Sequence, residues 1–180
     1  MKPGSLRRGL CLLAAALLPW LAPSHVSARE TNMAPGAFLA LSYHEVSGDG
    51  LVADAPGAGR YGIEISHLVA QFSWLRENGY HPVSLTRIAQ ARAGGTPLPP
   101  KAVLLSFDDG YADFHSRVYP VLKLFGYPAV IALVGSWMDA PAGAMVDYDG
   151  RKVAREAFLS WAQVREMMAS GLVEVASHSY

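Results

Sequence analysis

The residues with the clearest chemical potential are two adjacent carboxylates, Asp108 and Asp109, which are followed by Gly110. They come directly after the apolar run 102–105, whose composition predicts a strand buried on both faces. Parallel α/β proteins place their chemistry just beyond the carboxyl ends of such strands. Two negative charges at that position are costly unless a partner neutralises them, and a divalent cation is the usual partner. The pair therefore indicates a metal-dependent site.

Two histidines are predicted at the ends of other strands, where they would share an edge of the sheet with the Asp pair. His44 follows a predicted strand at 38–43, and His178 follows one at 172–176. A metal hydrolase needs a few oxygen or nitrogen ligands, an open position for water and a neighbouring base. One carboxylate can bind the metal while the other accepts a proton, and the spacing leaves open which does which. Each residue also has a purely structural interpretation, as a turn, a helix cap or a hydrogen-bonded histidine.

Strands and helices alternate along the chain, which is the pattern of a parallel α/β sheet or barrel. Helices are predicted at 66–78, 85–93, 114–125 and 160–170, and strands at 38–43, 81–84, 102–105, 128–134 and 172–176. Pro120 is expected to kink or break its helix. Ser160 and Gln163 fit a capping box at the start of the last helix. Residues 137–157 are predicted to form an inserted loop over the strand ends.

The N-terminus has the pattern of an export signal. Positive residues within 1–8 precede an apolar segment at 10–22, and a small-x-small cleavage site follows at 26–28. We therefore expect a signal peptide over 1–28, cleaved near Ala28, and a mature chain in the periplasm or outside the cell. The alternative is a short membrane anchor, which two prolines in this region disfavour.

Composition excludes several functional classes. The chain has 180 residues, with 15 basic and 15 acidic side chains and no basic stripe, so no nucleic acid partner is expected. Cys11 is the only cysteine and lies in the signal segment, so the mature chain has no thiol chemistry. Residues 29–36 are predicted to be a disordered lead-in, and no stable transmembrane span is expected in the mature chain.

Three segments together resemble the NodB-like polysaccharide deacetylases, carbohydrate esterase family four. The segment 106–111 (SFDDGY) resembles the first signature motif, and 177–180 (SHSY) resembles the start of the second. The segment 41–46 (LSYHEV) resembles the N-terminal Tyr-His segment of one branch of that family. The arrangement is similar to the exported poly-β-1,6-N-acetyl-D-glucosamine N-deacetylases of biofilm-forming bacteria. The resemblance covers roughly residues 37–180.

The resemblance implies an α/β fold, a parallel (β/α) barrel of the NodB-like deacetylase type that is incomplete in this chain. Such a barrel has about 250 residues, so residues 37–180 are expected to be the truncated N-terminal part of the deacetylase domain. The family's second metal histidine would lie beyond Tyr180. Residues 29–180 alone are therefore expected to bind metal weakly and to be inactive or nearly so.

The resemblance also implies a role for each candidate residue. Asp108 is expected to be the general base, His44 the acid, and Asp109 and His178 the ligands of a divalent ion, which is zinc, nickel, cobalt or iron. Trp137 and Tyr111 are expected to bind the sugar. Independently of the resemblance, Trp74 and Trp161 lie on helical patterns and are assigned to the core, and Asp113 is assigned to the cap of the following helix.

The implied activity is metal-dependent hydrolysis of N-acetyl groups from an exported biofilm poly-N-acetylglucosamine, which releases acetate. The expected partners are this N-acetylated polysaccharide and an export apparatus. One alternative is a non-catalytic carbohydrate-binding remnant, and another is a deacetylase of peptidoglycan or chitin oligomers. A glycosidase fits less well, because its two carboxylates flank a glycosidic bond at about 5 Å or more. Phosphoryl transfer fits least, because no glycine-rich loop followed by lysine is present.

Overall fold

A parallel sheet forms the centre of the protein. The computed structural model describes residues 34, 36–48 and 61–180, all within one compact unit, Met33–Tyr180. The strands are β1 (Phe38–Tyr43), β2 (Val46–Ser47), β3 (Ile63–Glu64), β4 (His81–Pro82), β5 (Ala102–Phe107), β6 (Ala129–Val134), β7 (Met145–Tyr148), β8 (Arg151–Ala154) and β9 (Val173–Ser179). The central sheet has the order β1-β5-β6-β9, β4 pairs with the start of β5, and all of these pairings are parallel. The predicted parallel α/β class is confirmed.

Helices follow most strands and cover the sheet. They are α1 (Ile65–Glu77), α2 (Leu85–Arg92), α3 (Tyr119–Phe125), α4 (Gly135–Asp139) and α5 (Trp161–Ala169). The predicted capping box is confirmed, since the Ser160 hydroxyl accepts a hydrogen bond from the Gln163 amide while the Gln163 side chain accepts one from the Ser160 amide. These two bonds satisfy amide groups that have no partner within the helix.

The predicted break near Pro120 is present as a change of helix type. Phe114–Val118 forms a single π turn, and α3 begins directly after it with Pro120 in its first turn. A proline has no amide hydrogen to donate, so it is tolerated at the start of a helix and disfavoured within one. The predicted single helix over 114–125 is therefore two segments.

The prediction of an inserted loop over 137–157 is wrong. This region contains α4, the antiparallel hairpin β7–β8 and a short 3₁₀ turn, Arg155–Ala157. The hairpin turns at Asp149 and Gly150, which both have positive φ, at 50° and 76°. An Asp-Gly pair between two short alternating segments is a strong signal for such a turn.

The main core lies between the sheet and helices α1, α3 and α5. The predicted buried strand β5 contributes Ala102, Val103 and Leu105, which are fully buried, as are Leu68 and Phe72 of α1. The assignment of two tryptophans to the core is wrong. Trp74 is 53% exposed and Trp161 is 42% exposed, because the apolar stripe of α1 follows residues 68, 72 and 75, and residue 161 opens its helix on the outer side.

The signal peptide, its cleavage site and most of the predicted lead-in lie outside the described residues. Residues 49–60 also lie outside them. Within the ranges that the structure describes, no helix is both long enough and apolar enough to cross a membrane.

Candidate active site

Asp108 lies at the end of β5, where two neighbouring strands hold its carboxylate. Its Oδ2 accepts a hydrogen bond from the Ser42 hydroxyl at 2.8 Å, and its Oδ1 accepts one from Ser106 at 3.3 Å. The two serines are opposite each other in the register of β1 and β5. The Asp108 amide also donates to the Tyr43 carbonyl at 2.8 Å. Asp108 is therefore oriented toward the β1 side of the site.

A tight turn separates the two adjacent carboxylates. The Gly110 amide donates to the Asp108 carbonyl at 2.9 Å, and the residue between them, Asp109, has a φ of 71°. A hydrogen bond across three residues with positive φ at the centre is a γ-turn, which is a strained backbone conformation. Strain of this kind costs about 1–3 kcal/mol and concentrates at functional sites. The turn sends the two side chains in different directions.

Asp109 lies beside His178, on the β9 side of the site. Its Oδ1 is 3.9 Å from the His178 Nε2, and its side chain is buried. Burial raises the pKa of Asp109, while His178 and His44 lower it in smaller part. Because burial disfavours the ionised form of Asp109, a nearby positive charge would stabilise its carboxylate.

The sequence predicted that His178 follows the last strand, but His178 lies inside β9. The strand continues to Ser179, and its register with β6 shifts, because Leu133 pairs with Ser177 whereas Val134 pairs with Ser179. His178 is therefore the extra residue of a β-bulge. Bulges occur next to active sites because they redirect a side chain.

Asp109 and His178 have the chemistry of metal ligands. Carboxylate oxygen and imidazole nitrogen are both ligands of zinc and similar ions, at about 2.1 Å, so two ligands of one ion can lie up to about 4.2 Å apart. The observed 3.9 Å separation fits within that limit. Among the described residues, however, no group of three or more His, Cys, Asp or Glu side chains is placed to hold an ion. Two such side chains can supply only part of a ligand set.

His44 lies between Asp108 and an aromatic ring. Its Nε2 is 3.8 Å from the Asp108 Oδ2, and its imidazole stacks on Tyr61 with ring centres 5.1 Å apart. The structure thus brings His44, Asp108, Asp109 and His178 to one edge of the sheet, as the sequence predicted. Their catalytic and metal-binding roles stay predictions.

The two predicted sugar-binding residues belong to one aromatic cluster beside the hairpin. Tyr111 stacks on Phe158 at 5.4 Å, and Trp137 approaches the same ring at 4.6 Å and Tyr148 at 5.4 Å. Trp137 lies in helix α4, not in a loop, and is partly exposed, whereas Tyr111 is buried. Burial and a hydrogen bond with Tyr148 raise the pKa of Tyr111. Sugar binding by this pair is untested.

Several residues near the site were not found from the sequence. Ser42 and Ser106 hold Asp108, and Tyr61 contacts His44. Asp113 was assigned to a helix cap, but it makes no cap hydrogen bond and instead accepts the amide of Val46. The matching positions of the two serines on adjacent strands were the one available signal, and using it requires knowing that β1 and β5 pair.

Comparisons with known proteins find relatives of this chain among polysaccharide deacetylases. A profile described as Polysaccharide deacetylase matches residues 95–180. The chain is 49% identical over 144 residues to a poly-beta-1,6-N-acetyl-D-glucosamine N-deacetylase of Escherichia coli, a match that covers 79% of this chain and 20% of that protein. The chain therefore spans about a fifth of the length of this curated relative.

Two solved structures have a similar fold. A de-N-acetylase from Aggregatibacter actinomycetemcomitans superposes with a TM-score of 0.72 at 45% identity. The deacetylase domain of BpsB from Bordetella bronchiseptica superposes with a TM-score of 0.65 at 47% identity. Each match covers 78% of this chain and 54% of the solved chain. These neighbours confirm a fold of the NodB-like deacetylase type, of which this chain contains a part.

Proposed function

Because the chain belongs to the polysaccharide deacetylase family, we propose that it forms part of the active site of a metal-dependent N-deacetylase acting on poly-β-1,6-N-acetyl-D-glucosamine. The main support is the separation of the two adjacent carboxylates. Asp108 faces His44 on the β1 side, and Asp109 faces His178 on the β9 side. Asp108 is thus available for proton transfer, while Asp109 lies beside His178, the other proposed metal ligand.

In this proposal Asp108 is the general base. Its two serine hydrogen bonds fix the carboxylate at the end of β5, so it can accept a proton from a water molecule that attacks the acetyl carbon. Asp109 and His178 would hold a divalent ion. When bound, that ion would polarise the acetyl carbonyl and acidify the attacking water.

His44 is the general acid, and its Nε2 lies 3.8 Å from the Asp108 Oδ2. As the carbon–nitrogen bond breaks, it gives a proton to the departing amine nitrogen, and the products are acetate and a free amino sugar. The Tyr61 ring limits how the imidazole can rotate. Trp137 would offer its partly exposed ring to the sugar, and Tyr111 would support that surface through Phe158.

The test is acetate release from poly-β-1,6-N-acetylglucosamine oligomers by the full-length gene product. Asp108→Asn should lower turnover about 10²- to 10⁴-fold, which is the usual contribution of a general base. Asp149→Asn is the matched control, because it makes the same chemical change in the exposed hairpin turn. Unchanged acetate release by Asp108→Asn would remove Asp108 from this role.

Metal binding separates the two carboxylates without relying on activity. Measured by titration with Zn²⁺ or Co²⁺, affinity should fall in Asp109→Asn and His178→Ala and stay close to wild type in Asp108→Asn. Equal loss in all three variants would contradict the division of roles. A metal-independent interaction with the polymer and no acetate release would favour a carbohydrate-binding remnant.

A substrate panel tests the glycan. The poly-β-1,6-linked polymer should be deacetylated faster than chitin oligomers or peptidoglycan fragments. We also propose that the protein is exported and acts beside the machinery that exports its polymer. Cell fractionation and the N-terminal sequence of the mature protein test this, with Arg29 as the expected first residue. A cytoplasmic protein that retains Met1 would contradict it.

A further inference from the structure

The short segment that carries His44 is fixed by hydrogen bonds on both sides. Before it, the Tyr43 carbonyl accepts the amide of Asp108 at 2.8 Å. After it, the Glu45 carbonyl accepts the amide of Ile63 at 3.0 Å, and the Val46 amide donates to the Asp113 Oδ2 at 2.5 Å. Of these acceptors, only Asp113 is a side chain, so it is the contact that a mutation can remove selectively.

Asp113 and Arg117 together satisfy the backbone of Val46. Asp113 accepts from the Val46 amide, and the Arg117 guanidinium donates to the Val46 carbonyl at 3.4 Å. Val46 is completely buried, so water cannot replace these partners. The segment after His44 is therefore attached to the π turn that follows the Asp108–Asp109 motif.

We propose that Asp113 is a positioning residue for His44, which holds the segment 44–46 so that the imidazole faces Asp108. This inference rests on the proposed function, in which His44 is the general acid. Asp113 does not touch the reacting atoms in this proposal. It acts through the backbone of Val46 and thereby fixes the distance between the His44 imidazole and the Asp108 carboxylate.

The surroundings of Asp113 explain why an oxygen acceptor is needed there and a negative charge is not. Asp113 Oδ1 and Glu45 Oε2 are both buried without a hydrogen-bond partner. The pKa of Asp113 is raised to about 7, mainly by burial and in smaller part by Glu45, against the lowering effects of the Val46 amide, Arg117 and the Phe114 amide. A protonated Asp113 keeps an acceptor for Val46 and has a proton to donate. Asparagine has the same combination of an acceptor and a donor.

Kinetics on two substrates separate a positioning role from general destabilisation. An amide substrate needs a proton on its leaving amine, whereas 4-nitrophenyl acetate has a leaving group that departs without one. Asp113→Ala should lower kcat for the N-acetylated oligomer about 10- to 100-fold, with KM nearly unchanged and the ester rate nearly retained. His44→Ala should show the same pattern, and Asp113→Asn should restore most of the amide activity.

Ser160→Ala is the matched structural control, because it removes a hydrogen bond to a helix amide far from His44 in the sequence. It should leave the ratio of amide to ester rates unchanged. An equal loss of both rates in Asp113→Ala would overturn the inference. If Asp113→Asn fails as badly as Asp113→Ala, the inference is also wrong.

The imidazole signals of His44 provide a measurement that needs no turnover. In the metal-free, ¹⁵N-labelled protein, these signals are assigned with His44→Gln. Asp113→Ala should shift or broaden them, and Asp113→Asn should not. Unchanged signals in Asp113→Ala would refute the positioning role. A wild-type protein that releases no acetate would refute the proposed function instead, and the imidazole signals would still decide the role of Asp113.

Discussion

The replacement of Asp113 by asparagine should stabilise the protein, and increasingly so as the pH rises from about 4 to about 7. Burial is the main reason that the pKa of Asp113 is raised from 3.8 to about 7. In the unfolded chain this carboxyl ionises near its ordinary value, about 3.9. Between these two values the folded protein holds a proton that the unfolded chain has lost.

The sign of the effect follows from proton linkage. Stability decreases with pH wherever the unfolded state binds fewer protons than the folded state. The Asp113 penalty is therefore absent below about pH 4, grows through the range from about 4 to 7, and is constant above it. A gap of about three pH units at about 1.4 kcal/mol each corresponds to at most about 4 kcal/mol. We expect a measured gain of about 2–4 kcal/mol for Asp113→Asn above about pH 7.5.

Urea unfolding followed by tryptophan fluorescence at a series of pH values measures this gain. The difference in unfolding free energy between Asp113→Asn and wild type should be near zero at about pH 4 and should level off above about pH 7. Asp149→Asn makes the same replacement at an exposed position, and its difference from wild type should not change in this way. If Asp113→Asn loses stability as the pH rises, the Asp113 charge is favourable and Arg117 outweighs burial.

Three further replacements test the site and its support. Gly110→Ala should lower the free energy of unfolding, measured in urea, by about 2–4 kcal/mol. The new methyl group would lie 2.7 Å from the Leu133 side chain, and residue 110 has a φ of +76°. Gly143→Ala, at a φ of +78° with open space around it, should cost about 1 kcal/mol, and equal losses would rule out the close contact as the cause. Tyr61→Ala should slow amide hydrolysis more than Tyr61→Phe does, since only the second keeps the ring stacked on His44. Equal rates in both variants would exclude orientation by the ring. Ser160→Ala should cost about 1 kcal/mol of unfolding free energy through the lost capping box, and no change would contradict that cap.

Local patterns in the sequence were sufficient for the elements and for the main site residues. A continuous apolar run predicts β5, helical spacing predicts α1, and a capping box predicts the start of α5, because each signal depends only on neighbouring residues. The convergence of His44, the Asp pair and His178 could also be predicted, since parallel strands end at a common edge. The hairpin over 145–154 could have been predicted from its Asp-Gly turn.

Tertiary structure alone determined how the site is arranged. Whether Asp108 or Asp109 faces His44 depends on a γ-turn and on which strands lie on either side of β5. The bulge at His178 depends on the pairing of β9 with β6. The contact from Asp113 to Val46 joins residues 67 positions apart. A sequence pattern reports the preferences of adjacent residues, whereas these contacts exist only after distant segments have packed together.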